Sequence, residues 1–163
     1  MNKKTLITAI IILIIDQVTK IIANNYLTIN KSIVIIKNFF NFTLCHNDGV
    51  AWSMLSDLRV VIIIISFVAM AVIYRFMFCF KSNLRNNIAF GLLLGGLSGN
   101  LLDRLISGSV TDFLDFIIFK YDFPIFNIGD IAIVIGVILL VYAIIKGEDV
   151  NENNSKPKPS KNW

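Results

Sequence analysis

With 163 residues, 56% of them hydrophobic, the chain is more apolar than a soluble domain, whose apolar share is about 45–50%. Its net charge of +4 is divided among short flanks of apolar runs and gathers on no single face, which argues against a nucleic-acid partner. A single-domain membrane protein remains.

Four stretches are long enough to cross about 30 Å of hydrocarbon at about 1.5 Å per residue, and each predicts a transmembrane helix: Thr5 to Tyr26, Leu58 to Phe80, Ile88 to Ile106 and Ile125 to Lys146. Lys3 and Lys4 ahead of the first run could open a cleaved signal peptide. No small-residue cleavage site follows, however, and Asp16 interrupts the run, so a retained span is expected. Lys3 and Lys4, then Lys81 and Arg85, then Lys146, Lys156, Lys158 and Lys161 flank alternate ends of the spans, which predicts both termini on the cytoplasmic side. The loop from Asn24 to Asp57 and the segment from Ser107 to Pro124 then face outward.

Within the outer loop, Asn30 to Leu44 is rich in β-branched and aromatic residues bounded by turn formers, and short strands are expected there. A small sheet at the membrane surface would bring Phe39, Phe40 and Phe42 near the headgroups. The run Ser107-Gly108-Ser109 should stop the third helix and leave Val110 to Phe119 as a short interfacial helix. Residues 1–146 form the membrane domain, and the polar stretch 147–163 reads as a disordered cytoplasmic tail. Cys45 and Cys79 fall on opposite sides of the bilayer, which excludes a disulfide between them. His46 has no partner at zinc-ligand spacing, so no metal or other cofactor is expected.

Orientation gives each polar residue a depth. Asp16 lies about 17 Å beyond Thr5 along the first helix, and Asn100 about 18 Å beyond Ile88 along the third, with Arg104 one turn later. The fourth helix starts at the outer face, so Asn127 and Asp130 join the same layer. Asn100 and Arg104 are four apart and Asn127 and Asp130 three apart, so each pair shares a face, and Lys20 stands four beyond Asp16. A charge facing lipid costs about 2.5–3.5 kcal/mol at a span centre, which favours an internal polar site. Asp16 with Lys20 and Asp103 with Arg104 read equally well as structural ion pairs. Asp130 and Asp112 differ, having no cation within a turn; Arg104 is the nearest candidate to pair with either through space. Gly91, Gly95, Gly96 and Gly99 would let a neighbouring backbone approach the third helix.

Two carboxyl groups brought close cannot both ionise and keep one proton between them. One can then deprotonate a water that attacks a peptide carbonyl while the other supports the carbonyl oxygen and passes a proton to the leaving amine. A common depth permits Asp112 and Asp130 to meet, although spacing alone does not bring them together.

From residue 5 to residue 146 the chain resembles lipoprotein signal peptidase, or signal peptidase II. The motifs are DQVTK at Asp16 to Lys20, NDGVAW at Asn47 to Trp52, GGLSGNLLDR at Gly95 to Arg104, VTDF at Val110 to Phe113 and FNIGD at Phe126 to Asp130. The resemblance implies an aspartic endopeptidase with Asp112 and Asp130 as catalytic dyad and Asp16, Lys20, Asn47, Gly49, Asn100, Arg104 and Asn127 supporting site and substrate. It implies as substrate a prolipoprotein with a diacylglyceryl-modified cysteine, cut just before that cysteine. Two positions depart from the family pattern: Val50-Ala51 replaces a small pair, and Gly129 stands where alanine is common. Asn47 and its loop, with Trp52 and Met54, would cover the site, although Trp52 serves equally as an interfacial anchor. The expected fold is a membrane all-α bundle of four transmembrane helices with a small β-rich, cradle-like extracytoplasmic loop and a short interfacial helix.

A proton-coupled transporter using Asp16, Asp112 and Asp130 as a relay is the alternative, and a noncatalytic membrane adaptor a third reading. The ionisable groups of such a relay stop at the outer half, no corresponding set continues from Leu58 to Phe80 to complete a path, and no inverted repeat is evident.

Overall fold

The structure is a computed structural model that describes residues 1–48 and 58–149. Four helices are long and apolar enough to cross a membrane, which makes the chain a multi-pass membrane protein: α1 (Lys3–Tyr26), α2 (Leu58–Phe76), α3 (Leu84–Ile106) and α4 (Ile128–Ile145). Asparagines cap three of them. Asn2 accepts from the Lys4 N–H, Asn83 from the Asn86 N–H and Asn127 from the Asp130 N–H, each satisfying a backbone donor with no partner inside its helix. The second span ends in a 3-10 turn at Met77–Cys79. The third begins four residues before its expected start and the fourth three residues after, at the positions their caps dictate.

The most buried span is α3, which packs against α1, α2 and α4. Its glycines explain how. A Cβ at Gly95 would lie 2.7 Å from the Ala9 carbonyl oxygen of α1, and one at Gly96 would lie 2.4 Å from the Gly129 carbonyl oxygen of α4. Small residues thus permit backbone-to-backbone approach on two faces of one helix. The outward faces of α1, α2 and α4 carry exposed isoleucines and valines, the surface that lipid covers.

Four antiparallel strands form one sheet in the order β1 (Ser32–Ile36), β2 (Phe40–Asn47), β3 (Val110–Ile118) and β4 (Tyr121–Asp122). The first two arise where strands were expected. The third corrects the expected interfacial helix at Val110 to Phe119: Val110, Thr111, Ile117 and Ile118 are β-branched and Phe113 and Phe116 aromatic, types that suit a strand, and β2 offers an edge that satisfies its backbone groups. Cys45 lies opposite Asp112 and Phe42 opposite Leu114, with an extra residue in β2 between those pairs. Of the three phenylalanines expected at the headgroups, Phe39 is exposed, whereas Phe42 joins Ala23, Leu44 and Phe113 beneath the sheet and Phe40 lies against Phe116.

A second apolar cluster, Met77, Phe80, Phe90 and Ala143, closes the opposite end of the bundle. Beyond it the chain stays ordered into the expected tail. The Lys81 N–H donates to the Glu148 carbonyl, and the Glu148 side chain accepts from Asn83, Arg85 and Asn86. Residues 150–163 lie outside the described residues.

Candidate active site

The first turn of α4 builds half of the site. Asn127 caps the helix reciprocally with Asp130: its Oδ1 accepts from the Asp130 N–H at 3.0 Å, and its own N–H donates to Asp130 Oδ2 at 3.1 Å. That leaves the Asn127 Nδ2 donors free to point elsewhere. They reach Asp112 Oδ1 at 2.6 Å and Asn100 Oδ1 at 3.1 Å, and Asn127 is wholly buried. One side chain therefore touches both aspartates, which arrive from α4 and from β3.

Neutral amides complete the shell around the two carboxyl groups. Asn100 Nδ2 donates to Asp130 Oδ1 at 2.8 Å, and Asn47 Nδ2 donates to Asp112 Oδ2 at 3.0 Å. Asn47 reaches Asp112 because it lies two residues along β2 from Cys45, the residue opposite Asp112, and so shares its face.

Beneath this layer the Lys20 ammonium has three partners: Asp16 Oδ2 at 2.8 Å, Asp103 Oδ2 at 3.0 Å and Asn100 Oδ1 at 2.8 Å. Its three protons are thereby all used, as a lysine only 2% exposed requires. Asp16 Oδ1 accepts from the Gly129 N–H at 2.7 Å and ties α1 to the start of α4. Asp103 accepts from Gln17 Nε2 at 2.8 Å and from the Thr111 N–H at 3.1 Å, fixing α1 and β3 to α3 one residue before Asp112.

Asp16, Lys20, Asn47, Asn100, Asp112, Asn127 and Asp130 thus form one connected network, with the expected Asp16–Lys20 pair within it. Two expectations need correction. Asp103 pairs with Lys20 and not with Arg104. Arg104 donates to the Asn100 carbonyl of its own helix at 3.3 Å and, among the described residues, makes no ion pair with Asp112 or Asp130. Gln17 and Thr111 were not among the expected site residues, and Asp103 was expected only as a partner of Arg104. Gln17 and Asp103 carried a signal, since Gln17 adjoins Asp16 and Asp103 stands three residues beyond Asn100 on its helix face. Gly49, Val50, Ala51, Trp52 and Met54 lie outside the described residues.

Burial is the largest influence on Asp112 and pushes its pKa up to about 6. The Asn47 and Asn127 hydrogen bonds oppose the rise, the charge of Asp130 adds to it, and Lys20 again opposes it. Asp112 is therefore a carboxyl able to exchange a proton near neutrality. Apolar grooves open on both sides of the network. One of about 290 Å³ runs from Asp130 past Phe126, Ile131 and Val134, and one of about 330 Å³ lies between α1 and the sheet at Ile22, Phe42 and Phe113.

Comparison with known proteins agrees with this geometry. The family described as Signal peptidase (SPase) II matches residues 8–146. The chain is 44% identical over 149 residues to the lipoprotein signal peptidase of Staphylococcus haemolyticus (strain JCSC1435), covering 91% of this chain and 94% of that protein. It is 39% identical over 158 residues to the lipoprotein signal peptidase of Staphylococcus aureus (strain JH9), covering 96% and 94%. A bacterial membrane enzyme structure solved by the in meso method at 1.9 Å resolution superposes with a TM-score of 0.79 at 39% identity, over 87% of this chain and 92% of that one. A second, at 2.3 Å resolution, gives 0.76 at 38% identity over 96% and 94%. Matched along most of its length, this chain belongs to the signal peptidase II family and is a multi-pass membrane protease.

Proposed function

We propose that the chain is an intramembrane aspartic endopeptidase that removes signal peptides from diacylglyceryl-modified prolipoproteins, cutting just before the lipid-modified cysteine, with Asp112 and Asp130 as its dyad. The observation that carries this reading is the Asn127 side chain, which bonds Asp112 while locked in a capping box with Asp130. Asp112, the carboxyl raised by burial, holds the proton, and Asp130, held by the Asn100 amide and the Asn127 N–H, is the base.

A water between them loses a proton to Asp130 and attacks the carbonyl carbon preceding the cysteine, while Asp112 gives its proton to the carbonyl oxygen. As the tetrahedral intermediate collapses, Asp112 recovers that proton and Asp130 delivers the other to the departing cysteine amine. The signal peptide leaves with a new carboxyl terminus, and the dyad returns to its starting state. Asp16, Lys20, Asn47, Asn100 and Asn127 hold the carboxyls, and Arg104 faces the substrate.

In the bilayer the dyad lies near the outer face and both termini are cytoplasmic. Support comes from the basic flanks: Lys3, Lys4, Lys81, Arg85 and Lys146 all fall at the helix ends remote from Asp112 and Asp130. Substrate then arrives laterally, its apolar parts against the grooves beside the network. The transporter reading is not favoured, because the carboxylates of the network lie on α1, α3, α4 and β3 and α2 carries none to extend a relay.

The test is reconstitution with a lipid-modified prolipoprotein and measurement of signal-peptide release by wild type, Asp112→Asn and Asp130→Asn. Both variants are expected to bind substrate and lose turnover, with chelators having no effect on wild type. Full cleavage by either variant overturns the dyad.

A further inference from the structure

The β3–β4 hairpin has features the catalytic reading does not use. Its two-residue turn is Phe119-Lys120, with φ of +50° and +68°. Such a turn favours asparagine and glycine, because a Cβ is crowded in the left-handed region. Here a phenylalanine occupies the tip and is 100% exposed. Ile118, Tyr121 and Phe123 around it are also exposed. An aromatic ring kept fully exposed in a strained turn calls for a partner outside the chain.

The position of the hairpin base identifies that partner. Phe123 and Phe126 line one groove with Ile131, Val134 and Ile135, residues in the first two turns of α4. Phe123 therefore sits at the depth of a membrane-spanning segment and continues the lipid-facing surface of α4, where Val134 and Ile135 are exposed. Ring contacts then run from Phe123 to Phe126 at 5.7 Å, to Phe116 at 5.7 Å and to Phe39 at 5.6 Å. Phe39 is the last residue of the β1–β2 turn, and the β1 residues Ile33, Val34, Ile35 and Ile36 are all exposed. Lys37 and Lys120 are exposed at the two turns.

We propose that the β3–β4 hairpin is a lipid-inserted anchor, with the Phe119 ring among the acyl chains and Lys120 and Lys37 reaching lipid phosphates. Aromatic rings with neighbouring lysines suit that boundary, where a ring is buried and a long cationic side chain extends to the headgroup. The anchor has a consequence for β3. Asp112 stands on β3 seven residues before Phe119, about 23 Å away at the strand rise, so the anchored turn fixes the far end of the strand that carries Asp112.

The test places a single tryptophan at the tip, Phe119→Trp, in full-length protein with Trp52 and Trp163 changed to phenylalanine, reconstituted in phosphatidylglycerol–phosphatidylcholine vesicles. Lipids brominated near the top of the acyl chain are expected to quench most of the emission, and aqueous acrylamide little of it. Where Phe119→Trp fails to fold, Tyr121→Trp in the same background gives the readout. Strong acrylamide quenching with no effect of brominated lipid overturns the anchor. Adding Asp112→Asn is expected to leave the quenching unchanged, so the anchor and the dyad fail independently.

Discussion

Asp112 and Glu148 are both acidic, both lie just outside a membrane helix, and both accept hydrogen bonds from asparagine side chains. Their pKa values nonetheless move in opposite directions. Asp112 is 2% exposed and rises to about 6, chiefly through burial. Glu148 is lowered, by the Asn83 and then the Arg85 hydrogen bond, because little of its hydration is lost in making them. The same kind of donor thus yields a proton-exchanging group at one end of the bundle and a strap charged at neutral pH at the other. Burial decides between them, and so does charge: Arg85 stands at Glu148, whereas among the described residues the side chains that hydrogen-bond Asp112 are the neutral amides of Asn47 and Asn127.

The largest effect should come from breaking the buried end. Lys20→Met leaves Asp16 and Asp103 as uncompensated charges, and losing one partner of a buried ion pair costs about 3–5 kcal/mol. Thermal unfolding in detergent is expected to show that loss, and Lys20→Met/Asp103→Asn should recover part of it by removing one stranded charge. Arg85→Met at the opposite end should lower the midpoint far less. Equal losses from the two lysine and arginine variants would erase the distinction between the ends.

Packing at the buried end gives the next effect. A Cβ at Gly99 would lie 2.2 Å from Asp16 Oδ2, an atom already held by Lys20 and unable to swing away. Gly99→Ala is expected to destabilise by about 1–3 kcal/mol, as overpacking does, and to reduce turnover because Asp16 also holds the Gly129 N–H at the start of α4. Gly129→Ala is a gentler perturbation, since its Cβ would meet Asn127, Asp16 and Gly96 oxygens at 3.1 Å. The comparison measures how much slack the network has at the start of α4.

How far the sequence reveals these features follows from the range of the forces involved. Hydropathy locates the four spans because lipid contact acts on every residue of a helix. It misses the first turn of α3, Leu84 to Asn87, since that turn is polar and its start is set by the Asn83 cap. The polar layer is legible from depth and face, and the Asp16–Lys20 pair from spacing. The ties of Asp103 to Lys20 and Thr111 are not, because they join residues far apart in the chain or cross from a helix to a strand. The strand β3 is hidden for the same reason: two aspartates interrupt its apolar alternation, and its partner β2 lies some seventy positions earlier, a pairing such as Cys45 with Asp112.

Titration separates the ends without disturbing the fold. If the active dyad carries one proton, held by Asp112, turnover should fall as pH rises through about 6. Asn47 donates to Asp112 and holds its pKa down, so Asn47→Ala should move that alkaline limb to higher pH. A pH–rate profile of kcat in vesicles checks both statements, and a limb that stays in place in Asn47→Ala would disconnect Asn47 from the titrating group.

Stability should respond to pH with opposite signs at the two carboxyls, and this is the smallest of the expected effects. For Asp112 the folded pKa lies above the ordinary value of about 3.9, so its contribution is full at low pH and is lost as pH rises toward about 6. For Glu148 the folded pKa lies below the ordinary value of about 4.3, so its contribution is present above that value and is lost as pH falls through the lowered one. Glu148→Gln should therefore lower the unfolding midpoint slightly at neutral pH, less so in acid, and leave turnover unchanged. Asp112→Asn should instead flatten the decline in stability between about pH 4 and pH 6. Midpoints measured across that range in the two variants would show whether burial or ion pairing governs each carboxyl, because only a buried group becomes more costly as it gains charge.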